Sequence, residues 1–257
     1  MAELPDLTVF AQILSRRFSG RTLEALDVTV TKKLNVPVIE LKSRLEKRQL
    51  DEVVRMGKTL QFHFSGGITL GLHLMLRGEL VDLDQPEPLK FLIATFRFKG
   101  GGGFAVVDML KQATLTLEPK ASIVPDALEL SKSYFEGLLA KKRTLIKTLL
   151  MDQKAMRGIG NSYADEILYH SGISPFSVAN AIPHSQVDRL FESIRSVLEK
   201  AISNIAATNG DELIGELRDF MDIHNPKLTI TTKGQPIKTD KIGGRTTYYT
   251  DDQELFL

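Results

Sequence analysis

The segment Gly158-Ile159-Gly160-Asn161 stands between two stretches that read as helices. A helix start leaves backbone N–H groups without intrahelical acceptors, and the helix dipole adds partial positive charge there. Such a place can cradle an anion, phosphate above all. Basic side chains crowd its approach: Lys141, Lys142, Arg143, Lys147, Lys154 and Arg157. The chemistry this constellation supports is a grip on the phosphates of a nucleic acid. Any two helices can also be joined by a glycine turn, so the spacing alone leaves a purely structural reading open.

The elements that must position this turn change character along the chain. Leu7 to Phe18 puts Phe10, Ile13, Leu14 and Phe18 on one helical face. After Gly20, alternation takes over: Leu60, Phe62 and Phe64, a Gly66-Gly67 turn, then Leu70, Leu72 and Leu74. A further strand through Leu92, Ala94, Phe96 and Phe98 meets the glycines 100–103 before Phe104 and Val106. Those glycines lack the lysine and following helix of a nucleotide-binding loop and read as a hairpin tip. From Leu130 the pattern is helical, with Ser185 and Asp188 as a capping box ahead of Val187, Leu190, Phe191, Ile194, Val197, Leu198 and Ile202. Beyond Asn225-Pro226 short strands return, and no internal repeat is visible.

At 257 residues and 42% hydrophobic content the chain can form one large or two modest domains with real cores. Lys+Arg 33 against Asp+Glu 32 gives no overall basic field, so any DNA binding rests on local patches. With Cys 0, disulfides, iron–sulfur clusters and thiolate zinc sites are excluded. His63, His73, His170, His184 and His224 show no metal-ligand spacing, so no metal is expected. No apolar run reaches membrane-spanning length and no signal-peptide pattern opens the chain, so a soluble, cytoplasmic protein is expected.

From Ile146-Lys147 and Asp152-Gln153 through Gly158-Ile159-Gly160-Asn161 to Tyr163-Ala164-Asp165-Glu166 and Gly172-Ile173-Ser174-Pro175, the chain closely resembles the formamidopyrimidine-DNA glycosylase / endonuclease VIII family. The match is long and ordered, and the domain order it implies runs along essentially the whole chain. It implies an α+β multidomain protein: an N-terminal β-sandwich with a leading helix over 1–128, a helix–two-turn–helix domain over 129–225, and a zincless-finger β-hairpin over 226–257. The implied partner is double-stranded DNA carrying damaged bases or abasic sites, bound by a monomer without cofactor. The implied activity is DNA glycosylase and abasic-site lyase.

In that family the mature chain begins with a proline and a glutamate; the proline amine attacks the sugar C1′ and the glutamate moves protons. Here the start is Met1-Ala2-Glu3-Leu4-Pro5, so the resemblance gives the catalytic positions to Ala2, Glu3 and, on a phosphate-contacting hairpin, Lys58. An α-amine with pKa near 7.7–8.0 is roughly a fifth to a third neutral at pH 7.4, against about 0.1% for a lysine. If Met1 is removed, Ala2 offers a primary amine that can still form an imine. The alternative is a site that has lost its nucleophile, leaving a binder of damaged or distorted DNA, or, in a third class, a protein–protein adaptor.

Flipping a nucleotide requires something to fill the gap. The resemblance puts Leu76 at the apolar wedge. In Asp108-Met109-Leu110-Lys111-Gln112-Ala113 it leaves Lys111 and Gln112 where the family has an arginine and a phenylalanine. Only Met221 to Lys227 stand where purine-specific members carry a long capping loop, which points to pyrimidine lesions, abasic sites or recognition of DNA structure alone. The finger's four cysteine positions are Ile237, Asp240, Thr250 and Gln253, so packing of Leu228, Ile230, Ile242, Tyr248 and Tyr249 is expected to hold the hairpin. Arg245 keeps the family's phosphate-contacting arginine, and Gly160, Asn161, Lys147 and Lys111 complete the expected DNA contacts.

Overall fold

A computed structural model describes residues 1–83 and 89–257. The chain divides into two compact units, Met1–Ala121 with Ile205–Glu216, and Ser122–Asn204 with Leu217–Leu257.

In the first unit, α1 (Leu4–Phe18) begins where Glu3 and Asp6 form a capping box and Pro5 sits in the first turn, which tolerates a missing N–H. It is followed by β1 (Leu23–Val28), α2 (Val38–Leu45), β2 (Leu50–Met56), β3 (Thr59–Phe64), β4 (Ile68–His73), β5 (Gly78–Asp82), β6 (Leu92–Phe98), β7 (Gly103–Asp108) and β8 (Thr114–Leu117). The strands make two antiparallel four-stranded sheets, ordered β1-β6-β7-β5 and β2-β3-β4-β8. Alternation works as expected in β3, whose Leu60, Phe62 and Phe64 are all buried. Phe62 of one sheet stacks on Phe96 and Phe104 of the other at 5.9 and 5.6 Å, so the aromatic layer is the sandwich core. Phe18 of α1 closes one end of it, 4.5 Å from Phe98.

One register pair positions two loops. Gly78 at the start of β5 pairs with Asp108 at the end of β7, so the β4–β5 loop and the loop after β7 emerge side by side. A Cβ on Gly78 would lie 2.2 Å from the Leu74 carbonyl oxygen, a backbone atom that cannot swing away. Gly78→Ala is therefore expected to cost about 1–3 kcal/mol, the usual range for overpacking. Denaturant unfolding measures it, and a loss under about 0.5 kcal/mol, the level of a neutral surface change, would mean the backbone relaxes there.

The second unit carries α3 (Lys132–Ala140), α4 (Ile146–Leu150), α5 (Asn161–Ser171) and most of α6 (His184–Asn209), then the hairpin β9 (Lys238–Ile242) and β10 (Arg245–Tyr249). The expected capping box at Ser185 and Asp188 is not formed. The Pro183 carbonyl accepts the first amides of α6, those of Gln186 and Val187, while Asp188 pairs with Lys132 at 2.7 Å. No described helix is long and apolar enough to cross a membrane.

Candidate functional site

In the first unit, Ala2 and Leu76 line one cavity of about 330 Å³, together with Phe10, Arg77, Glu79 and Glu216. The Met1 ammonium pairs with the Glu216 carboxylate beside it. Ala2 itself is 5% exposed. While Met1 is attached, the nitrogen of Ala2 is a peptide N–H and has no nucleophilic lone pair. Glu3, next in sequence, is buried at the head of α1, where its N–H donates to Asp6 Oδ2 at 2.8 Å. Lys58 sits in the two-residue turn between β2 and β3, beside Gly57, whose φ of 62° suits glycine.

The β4–β5 loop is built to hold an apolar side chain outward. Leu76 is 54% exposed, and Met75 before it has φ 57°. His73 Nδ1 accepts the Met75 N–H at 3.0 Å, which requires that nitrogen to be unprotonated. Burial, and after it the charge of Lys58, hold the His73 imidazole below its usual range, so the ring stays in the form this bond needs.

Across the Gly78–Asp108 pair, buried Asp108 folds the neighbouring loop around its carboxylate. Oδ1 accepts the Leu110 N–H, and Oδ2 accepts those of Gln112 and Ala113 at 2.6 and 2.8 Å. Lys111 adopts φ 53°, and Met109 and Leu110 are left 56% and 45% exposed. Sequence reasoning named Lys111 and Gln112 here and missed the two apolar neighbours. Their signal was present as adjacent large apolar residues in a loop opened by an aspartate. Backbone strain beside exposed hydrophobes is the pattern of a functional clamp.

In the second unit the glycine turn is braced internally. Gln153 accepts the Gly158 N–H with Oε1 at 3.0 Å and donates to the Ile159 carbonyl at 2.8 Å. That removes Gly158 from the anticipated cradle. Gly160 is the N-cap of α5, in extended backbone conformation, and has no side chain of its own to close the helix start. Asn161 donates to the Thr246 carbonyl at 2.9 Å, so its amide ties α5 to the hairpin.

Lys147 corrects the sequence reading. Expected at a phosphate, it is 0% exposed, with Nζ 2.7 Å from both Asp165 Oδ1 and Thr247 Oγ1. Asp165 Oδ2 in turn accepts the Tyr248 N–H at 3.0 Å and meets His224 Nδ1 at 2.7 Å. A buried ion pair therefore sits where α4, α5 and β10 meet. The turn lysines Lys141, Lys142 and Lys154 do lie exposed.

The hairpin positions that hold cysteines in the resemblance do not fit zinc. The Gln253 carboxamide accepts the Thr250 N–H and donates to the Ile173 carbonyl at 2.8 and 2.9 Å, Ile237 has no donor atom, and Asp240 is exposed. Ile242 is buried as expected, whereas Ile230 is 55% exposed and supplies no core. Edge-on contacts of Tyr248 with His224 and Tyr249 with Phe176, at 4.8 and 5.1 Å, take its place. Arg245 starts β10 just after the Gly243-Gly244 turn, exposed.

The residues Met221 to Lys227 are also pinned, not raised as a cap. Both oxygens of buried Glu166 accept backbone N–H groups of Asp222, Ile223 and His224 at 2.8–3.1 Å. Burial pushes the Glu166 carboxyl up, and those three donors pull it back.

Known proteins agree with this architecture. The formamidopyrimidine-DNA glycosylase N-terminal domain matches residues 1–115, and the H2TH domain of the same enzymes matches residues 123–211. A formamidopyrimidine-DNA glycosylase of Desulforamulus reducens is 29% identical over 269 residues, covering 97% of each chain. That of Pelotomaculum thermopropionicum is 27% identical over 268 residues with the same coverage. Among solved structures, the Lactococcus lactis enzyme in complex with abasic-site DNA superimposes with a TM-score of 0.88 at 24% identity, over 98% of this chain and 100% of that one. With both domains matched in order and a fold shared along the whole length, the chain belongs to the formamidopyrimidine-DNA glycosylase / endonuclease VIII family.

Proposed function

We propose that this protein is a DNA-repair glycosylase with abasic-site lyase activity, acting on double-stranded DNA that carries damaged bases or abasic sites. The observation that carries the assignment of its centre is that Ala2 and the outward Leu76 line the same cavity. Removal of Met1 would place a primary amine at that cavity. Its lone pair attacks C1′, the damaged base departs with the glycosidic electron pair, and opening of the sugar ring leaves a protonated imine between the amine and C1′. Glu3 is the proton carrier, and loss of the C2′ proton then expels the 3′ phosphate. Leu76 fills the space of the extruded nucleotide.

Phosphate contacts fall to exposed Arg245, to Lys58 and to the start of α5 at Gly160, with Asn161 holding α5 against β10. Binding is expected to weaken steeply with added salt. Arg245→Ala should lower affinity for an abasic-site duplex and reduce the slope of log K against log salt by about 1, with Tm unchanged. Fluorescence anisotropy across a salt series measures this. An unchanged slope would remove Arg245 from the interface. With no raised cap over residues 221–227, abasic sites and oxidised pyrimidines are the favoured lesions. A borohydride-trapped covalent adduct with an abasic-site duplex tests the activity; tight, salt-sensitive binding without any adduct would leave a lesion binder.

A further inference from the structure

We propose that Glu166, His170 and Asp222 form a binding site for one divalent transition-metal ion of the zinc type, separate from the finger hairpin and independent of the glycosylase reading. Glu166 and His170 stand four residues apart on α5, so their side chains share one face. The segment after Arg218 brings Asp222 to the same face. His170 Nε2 lies 3.0 Å from Asp222 Oδ2 and 3.9 Å from Glu166 Oε2, and all three ligand atoms fall within 4.8 Å of one another. Tetrahedral zinc, with bonds of about 2.0–2.2 Å to nitrogen and oxygen, sets its ligand atoms roughly 3.4 Å apart. Small side-chain rotations at half-exposed His170 and Asp222 cover the difference.

The least mobile ligand is already held in place. Three backbone N–H groups fix the Glu166 carboxylate, as outer-shell donors fix ligands in metal sites. Oε2 receives only the Asp222 N–H from this segment, so it retains acceptor capacity toward an ion. Two carboxylates and a neutral imidazole supply two negative charges, which a divalent cation balances, and imidazole with carboxylate suits zinc-like ions. The cluster opens on a cavity of about 160 Å³ that Ser196, Lys200 and Asn204 of α6 also line, which leaves room for a water as fourth ligand. The competing occupant is a proton: His170 as imidazolium would pair with Asp222. An ion here would staple residues 219–224 to α5.

Zinc chloride titrated into chelator-treated, full-length protein tests the site by calorimetry and by thermal unfolding. One equivalent with a saturable rise in Tm is expected, lost in His170→Ala and in Asp222→Asn, and kept in His184→Ala. The last variant controls for the more exposed cluster of Glu136, His184 and Asp188. His170 is partly exposed, so His170→Ala without zinc should melt with the parent protein, which keeps the comparison meaningful. Absence of zinc binding, equal binding by His170→Ala, or loss only in His184→Ala would each overturn the proposal.

Discussion

Protein that keeps Met1, or any residue ahead of Ala2, is expected to give no borohydride-trapped adduct with an abasic-site duplex, whereas protein beginning at Ala2 gives one. The reason is electronic. An amide nitrogen has its lone pair delocalised into the carbonyl and cannot attack C1′, whereas an α-amine is partly neutral near pH 7.4. In the structure the Met1 ammonium is engaged with Glu216 while Ala2 lines the cavity, so a single residue separates the charged terminus from the nucleophile position. Glu3→Gln in the Ala2-initiated protein is expected to lower turnover by ~10²–10⁴, the usual share of a positioned proton carrier. A glutamine still offers an oxygen to the head of α1, so Tm should hold. Adduct mapping by mass spectrometry decides the question. An adduct at Lys58, or one that survives the extra residue, would move the nucleophile elsewhere.

Lys147→Ala is expected to destabilise the second unit by about 3–5 kcal/mol, because breaking one side of a buried ion pair strands the other charge. Asp165 would keep the Tyr248 N–H and His224 but lose its only ammonium partner among the described residues, and Thr247 would lose a bond as well. β10 would then loosen from α5, and Arg245 with it. A matched change at exposed Lys154 should stay within about 0.5 kcal/mol. Chemical denaturation of the two variants, beside a salt series of DNA affinity, separates the alternatives. If Lys147→Ala leaves stability intact and only flattens the salt slope, the lysine is a phosphate contact after all.

Lys147 shows why part of the site was hidden. A lysine near a glycine turn beside other lysines reads as surface charge, since lysine is almost never fully buried without a partner. Its partners are Asp165, on the next helix, and Thr247, a hundred residues on. Nothing local announces that pairing. Leu110 was hidden differently. Its exposure depends on the Asp108 carboxylate gathering three loop amides and on β7 pairing with β5, and neither is a property of the hexapeptide itself. The short α2 and β5 left too few residues for a period to show: α2 buries only Leu41 and Leu45.

What the chain declares by itself is whatever repeats or stays local. The half-buried alternation of β3 and β4, the apolar face of α1, the glycine turn before α5 and the lack of cysteine ligands all follow from residue types at fixed spacing. So does the family, whose motif is contiguous. Tertiary structure alone decided which charges are buried, which side chains share the Ala2 cavity, and what holds a finger without zinc. Those outcomes depend on contacts between residues distant in sequence, where desolvation and hydrogen-bond completion, not periodicity, select the partner.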